Sequence, residues 1–255
     1  MAPPVPLEAL SLAFLEVRDV VKKYGGIVAV NQASFDDEEG FITALIGPNG
    51  AGKTTAFDAI CGVVVPDSGR IAFDGHDITG LMSHDITKRG IGRTFQITRE
   101  LGEMTVLENM VVSTIPNNLK SLFVGRMAAK ERDQAMHLLS FVGIEKLAHQ
   151  PAKRLSYGQR KLLEFAAVLM TEPRLILLDE PAGGVNPALL ERIMDRIEEM
   201  NCRGTSFLIV EHNMDVVMRL SHSVIVMAHG QVILQDTPAA VREDERVLAA
   251  YLGEV

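Results

Sequence analysis

The chain has 255 residues, with 25 Lys+Arg against 33 Asp+Glu and a formal net charge of −8. Its 47% hydrophobic and 23% charged residues are the proportions of an ordinary globular protein, which excludes disordered, collagen-like and disulfide-scaffold classes. The acidic balance also argues against nucleic acid as a partner, since that binding depends on a dense basic surface.

Two cysteines, Cys61 and Cys202, have no CxxC or metal-ligand spacing and read as buried thiols. No apolar run approaches the ~20 residues that span a bilayer. No Lys or Arg precedes Arg18, so the start lacks the basic region of a secretory signal, and a cytoplasmic location is expected. In chain order, residues 15–20 alternate apolar and polar letters, the period-two mark of a half-buried strand, here opening an antiparallel edge sheet. Residues 41–46 are apolar nearly throughout, as expected for a parallel strand covered on both faces. They run into a glycine-rich turn, 47–52, and a helix over 53–61. Residues 66–69 read as a turn, and the RIAFDG after it as a strand closing a hairpin. Beyond Gln96, helical spacing takes over at 105–109 and 126–143, so 99–156 reads as an inserted helical subdomain. Strand–helix alternation resumes with helix 159–170, strand 175–178, helix 187–200, strand Ser206–Val210 and helix 213–220. A hairpin, 224–227 with 231–234, precedes a helical tail over 237–255. The fold class is α/β with an insertion.

The segment Gly47-Pro-Asn-Gly-Ala-Gly-Lys53-Thr54 matches GxxxxGK[ST] between an expected strand and an expected helix, the context that gives the pattern meaning. Glycines there let successive N–H groups turn inward as an anion nest, and the helix N-terminus adds partial positive charge. Asn49, Gly50, Gly52, Lys53, Thr54 and Thr55 are the candidate nucleotide contacts. Lys53 would reach the β- and γ-phosphates of ATP, and the Thr54 hydroxyl would ligate Mg2+. A plain turn linking strand to helix needs no Lys-Thr at its end. Further on, LILLDE is a short buried strand ending in two acids, so Asp179 emerges at the sheet's carboxyl edge, where open α/β sheets bind ligands. Asp179 suits an outer-shell Mg2+ role, and Glu180 is placed to polarise an attacking water as general base. A lone Asp-Glu pair would read as a solvated turn; beside a phosphate loop it does not. No NKxD guanine-reading segment is present.

Four further pieces fall in a fixed order: Tyr24 in KKYGG, Gln96 in GRTFQ, Ser156 and Gly158 in LSYGQ, and His212 in VEHNM. Taken singly they read as an edge-strand tyrosine, a polar strand end, a helix cap and a surface histidine. Together with the phosphate loop they make the chain resemble the ATP-binding subunit of an ABC transporter over nearly its whole length.

The resemblance implies a P-loop NTPase (RecA-like) core over 14–255, with an N-terminal antiparallel β subdomain and the helical insertion. It implies that Tyr24 stacks on adenine, that Gln96 serves the Mg2+ and γ-phosphate region, and that His212 is the switch histidine. Ser156 and Gly158 would grip the γ-phosphate of an ATP held by a second ATP-binding subunit, paired head to tail. The implied partners are that second subunit, integral membrane permease subunits and a substrate-binding protein, with the chain peripheral on the inner face of the membrane. Asn186 departs from the aspartate many members carry there. GRTFQ, the Tyr-containing signature, Asn-Pro at 186–187 and the terminal YLGE resemble the branched-chain amino acid import subgroup. A lipopolysaccharide or lipid export ATPase and a soluble ABC-type ATPase of translation or DNA repair are the alternatives. In the insertion, Leu101 and Met104 are the expected permease contacts, and Leu107 is expected in the subdomain's own core.

Overall fold

The computed structural model describes residues 13–94, 101–112 and 129–252. The chain opens with two long antiparallel strands, β1 (Leu15–Tyr24) and β2 (Ile27–Asp37), then a short strand β3 (Ile42–Ile46) and helix α1 (Lys53–Ile60). β4 (Ser68–Phe73), β5 (His76–Asp77), α2 (Ser83–Lys88) and β6 (Ile91–Arg93) follow, then α3 (Val106–Val112), α4 (Ala129–Phe141) and α5 (Tyr157–Leu169). The order closes with β7 (Leu175–Asp179), α6 (Pro187–Cys202), β8 (Ser206–Val210), α7 (Met214–Leu220), β9 (Ser223–Ala228), β10 (Gln231–Asp236), α8 (Pro238–Glu243) and α9 (Glu245–Leu252).

Two sheets result. The antiparallel one runs β2-β1-β4-β5; the other runs β10-β9-β3-β8-β7-β6 and is parallel except at its β10 edge. Covering both faces of the second sheet explains its sequence. Leu175 and Leu177 of β7 join the cluster around α1 and the antiparallel sheet, whereas Ile176 and Leu178 join the cluster around α5 and α6. β8 alternates likewise, with Leu208 and Val210 against Phe207 and Ile209. Neither face is wet, so 175–178 of β7 and 207–210 of β8 are apolar without a break. Phe57 and Ile60 anchor α1 between the sheets. Val106, Leu107 and Met110 of α3 and Leu139 of α4 pack on Leu162, Phe165 and Leu169 of α5. On the rim, Val241 of α8 and Val247 of α9 cover Ala44, Ile46, Val224 and Val226.

Several expectations change. The antiparallel sheet holds β2, a strand the letters did not reveal: positive φ at Gln32 and register shifts along the β1–β2 ladder break the alternation that marks a strand. Residues 66–69 do not turn β4 back on its predecessor. β4 pairs with β1, and its hairpin is with β5 through Asp74-Gly75. Cys61 is buried, but Cys202 is exposed. The buried stripe of α6 ends at Ile197, and five further residues rotate Cys202 by about 140° onto the solvent side.

Candidate active site at the carboxyl edge of the parallel sheet

The register aligns Leu45 of β3, Val210 of β8 and Asp179 of β7, so the segments leaving these strands emerge side by side. After β3 comes the phosphate loop. Two of its glycines are required by close backbone approach: a Cβ on Gly47 (φ +147°) would sit 2.0 Å from the Met227 carbonyl oxygen, and one on Gly52 (φ +97°) 2.3 Å from that of Ala29. Gly52 is the N-cap of α1 and supplies no side-chain acceptor, and no acid lies in the first turn, which leaves the helix's positive pole for an anion. Asn49, Gly50 and Thr54 are exposed and Thr55 half-buried. Lys53 is buried, and its Nζ donates to the carbonyls of Gly47 at 2.7 Å and Pro48 at 2.9 Å. Burial lowers its pKa, against the opposing charges of Glu180 and Asp179.

Asp179, buried at the end of β7, faces Arg93 at the end of β6: the guanidinium lies 3.4 Å from Asp179 Oδ2 and 2.5 Å from Asp58 Oδ1 on α1. Burial raises the Asp179 pKa, Arg93 opposes that, and the Glu180 charge adds to it. Glu180 follows in the left-handed region (φ 49°), a conformation costing a non-glycine residue ~1–3 kcal/mol and persisting only where its surroundings fix it. Its N–H donates to the Val210 carbonyl at 3.0 Å, and its Oε1 lies 3.1 Å from His212 Nε2. Both side chains remain partly open to solvent. The structure therefore brings Lys53, Asp179, Glu180 and His212 to one edge.

The signature segment is elsewhere. Ser156 caps α5 in a reciprocal box: the Gln159 N–H donates to Ser156 Oγ at 3.3 Å, and the Ser156 N–H to Gln159 Oε1 at 2.9 Å. Among the described residues the Ser156 hydroxyl donates no hydrogen bond of its own. Tyr157 Oη donates to the Gly183 carbonyl at 3.2 Å, and a Cβ on Gly158 would lie 2.3 Å from Leu189 Cδ2. The signature thus rests on the segment after Glu180 and on α6, not on the phosphate loop. Tyr24 is exposed at the end of β1, with Lys22 Nζ 5.6 Å from its ring centroid. Gln96 lies outside the described residues.

A family model described as ABC transporter matches residues 30–183. The chain belongs to that family. A second model, branched-chain amino acid ATP-binding cassette transporter, matches residues 231–255 of the cassette. The cassette is 37% identical over 254 residues to the high-affinity branched-chain amino acid transport ATP-binding protein BraF of Pseudomonas aeruginosa, covering 96% of this chain and 100% of the relative. It is 36% identical, with the same coverage, to the corresponding LivG of Salmonella typhimurium. Among solved structures, the ADP conformation of an ATP-binding cassette from an ABC transporter superposes with a TM-score of 0.85 at 34% identity, covering 95% of this chain and 99% of that one. The cassette is thus an ABC-type ATPase that binds nucleotide. Among its described residues no helix is long and apolar enough to cross a membrane.

Two residues of the cassette's site, Arg93 and Glu211, escaped the sequence reading, and a third, Asn186, was read only as a departure from aspartate. Arg93 joins α1, β6 and β7; its place in GRTFQ, three residues before Gln96, was the available signal. Asn186 caps α6 through its Oδ1, which accepts the Leu189 N–H at 2.9 Å, a role an aspartate could also fill. Glu211, next to His212, is buried and holds three backbone N–H groups. In the helical layer Leu107 is core, Leu101 is exposed and Met104 half-buried.

Proposed function

We propose that the chain is the ATP-hydrolysing subunit of an importer of branched-chain amino acids. The observation that carries the chemistry is the Glu180 carboxylate 3.1 Å from His212 Nε2, on the same sheet edge as Lys53. Glu180 Oε accepts the proton of the attacking water, and His212 Nε2 orients that carboxylate and faces the γ-phosphate. Lys53, lodged against the loop's own carbonyls, neutralises the β- and γ-phosphates at little cost in side-chain entropy, because its position is already fixed. The loop N–H groups and the start of α1 receive the remaining negative charge. Tyr24 offers its ring to the adenine.

The donor set suits Mg2+: a hydroxyl at Thr54, a carboxylate at Asp179 and an amide at Gln96 are hard oxygen ligands. No group of three or more His, Cys, Asp or Glu could hold a metal alone among the described residues, which fits an ion that takes most of its ligands from nucleotide phosphates and water. Bound there, Mg2+ would supply charge neutralisation at the phosphates. Asp179 is held ready for it by Arg93.

Ser156 caps α5 and Gly158 lies against Leu189 of α6, an arrangement that a head-to-tail pair would use to complete the partner subunit's site. ATP bound across that interface closes the pair by binding the closed state more tightly, and hydrolysis reopens it. Leu101 and Met104 of the insertion (99–156) face a permease subunit on the cytoplasmic side, and a substrate-binding protein delivers the amino acid outside. The substrate class is supported by the names of the relatives and by the model matched over 231–255. The test is uptake of radiolabelled leucine, isoleucine and valine in cells lacking this chain: wild type restores it, Glu180→Gln does not. Normal uptake without the chain, in cells with no second importer, would contradict the substrate assignment and leave the ATPase assignment standing.

A further inference from the structure

Glu211 is the first residue beyond β8 and is 2% exposed, yet the hydrolytic chemistry makes no direct use of it. Its Oε1 accepts the Ala182 N–H at 2.7 Å; its Oε2 accepts those of His212 at 2.8 Å and Asn213 at 3.0 Å. Among the described residues no Lys or Arg forms an ion pair with it. Burying a carboxylate is costly unless its lone pairs are filled, and here backbone donors from two different loops fill them. Ala182 stands two residues after Glu180, and the Glu180 N–H itself binds the Val210 carbonyl, one residue before Glu211. The two loops are therefore stapled by a main-chain bond on one side of Glu211 and by its carboxylate on the other, with the Glu180–His212 contact beside them.

We propose that Glu211 is a positioning residue for hydrolysis: its acceptor-only carboxylate sets the separation and orientation of Glu180 and His212 by fixing the backbone after each. The proposal rests on the catalytic reading of that pair. The side chain's chemistry is specific to the task. Glutamine would keep shape and one acceptor oxygen but turn an NH2 toward backbone N–H groups, so at least one loop is released. Aspartate would keep the charge but fall one methylene short of spanning both. The left-handed backbone at Glu180 makes release consequential, because such a conformation is held by its surroundings and not by its own preference.

The test is a double-mutant cycle on the purified full chain, with Glu211→Gln, His212→Ala and the double variant. Turnover, KM for ATP, affinity for a fluorescent ATP analogue and thermal midpoint are measured for each. Glu211→Gln is expected to lower kcat roughly 10- to 100-fold, as displacement of a reacting group by about 1 Å does, with nucleotide affinity unchanged within about twofold. In the His212→Ala background the same substitution should change kcat by no more than about twofold, because both act through one pair. Should Glu211→Gln fail to fold, Glu211→Asp carries the same expectation. Equal factors in both backgrounds, or parallel losses of affinity and kcat, would assign Glu211 to the loop scaffold alone and overturn the proposal. Unchanged turnover in His212→Ala would instead overturn the reading of the pair, and this proposal with it.

Discussion

The edge that carries Asp179, Glu180 and His212 and the end of α5 that carries Ser156 are built on opposite plans. At the edge every charged group is already engaged within the chain: Lys53 with two carbonyls, Asp179 with Arg93, Glu180 with His212. At the signature end, Ser156 completes a helix cap, and its hydroxyl donates no hydrogen bond among the described residues. The edge holds its charged groups in place before any nucleotide arrives; on the proposed head-to-tail pairing, the signature end of a second subunit completes it. Order within one chain is therefore no measure of completeness, and on the proposed pairing what the signature lacks comes from assembly.

Mixing variants breaks this comparison most forcefully. Ser156→Arg and Lys53→Ala, each alone, should abolish steady-state ATP turnover, the first by filling the signature site and the second by removing the ammonium that faces the phosphates. Mixed in equal amounts they should regain activity, since one intact composite site forms in each mixed pair. Titrating one variant into the other while following phosphate release checks this, and a mixture no more active than either parent contradicts the shared site.

A second perturbation sets the paired carboxylates of the edge against a solitary one. Asp37 is buried, its Oδ2 has no hydrogen-bond partner among the described residues, and burial pushes its pKa up to about 7, against the opposing Thr43 hydroxyl bond. A raised carboxyl pKa means the native state keeps a proton that the unfolded chain has lost. Stability therefore falls as pH rises from about 4 to about 7, by at most about 1.4 kcal/mol per unit, and levels off above. Asp37→Asn, neutral throughout, should flatten that slope and unfold at higher temperature than wild type at pH 8, with no gain at pH 4. Thermal melts across that range decide it, and parallel curves for the two proteins would contradict the buried-acid account.

The smallest effect sharpens the signature side. Gly158→Ala places a methyl 2.3 Å from Leu189 Cδ2, the end of a flexible side chain, so the expected cost is ~1–3 kcal/mol of stability. Leu189→Ala in the same chain should recover part of it. Urea unfolding of the three variants measures this, and strictly additive losses would mean that α5 and α6 do not meet there.

How much of this was legible followed from how local the cause was. β7 and β8 read clearly because both faces are buried, and the phosphate loop because backbone approach at Gly47 and Gly52 admits no side chain. The cap at Ser156 was legible for the same reason, its partner being three residues away. β2 was hidden by irregular register, and Cys202 by a helix turning past its buried stripe. Arg93 and Glu211 were hidden differently. Their partners lie up to 86 and 29 residues away in sequence, and no periodicity marks a side chain whose work is to join two strands' ends.

The central claim, that Glu180 beside His212 is the hydrolytic base of this edge, is tested most directly by Glu180→Gln. ATP binding and ATP turnover should be measured on one preparation. The amide keeps the shape but cannot take the water's proton, so turnover should fall ~10²- to 10⁴-fold, with binding intact and ATP-closed pairs accumulating. Turnover within a few-fold of wild type, at unchanged ATP affinity, would contradict the assignment.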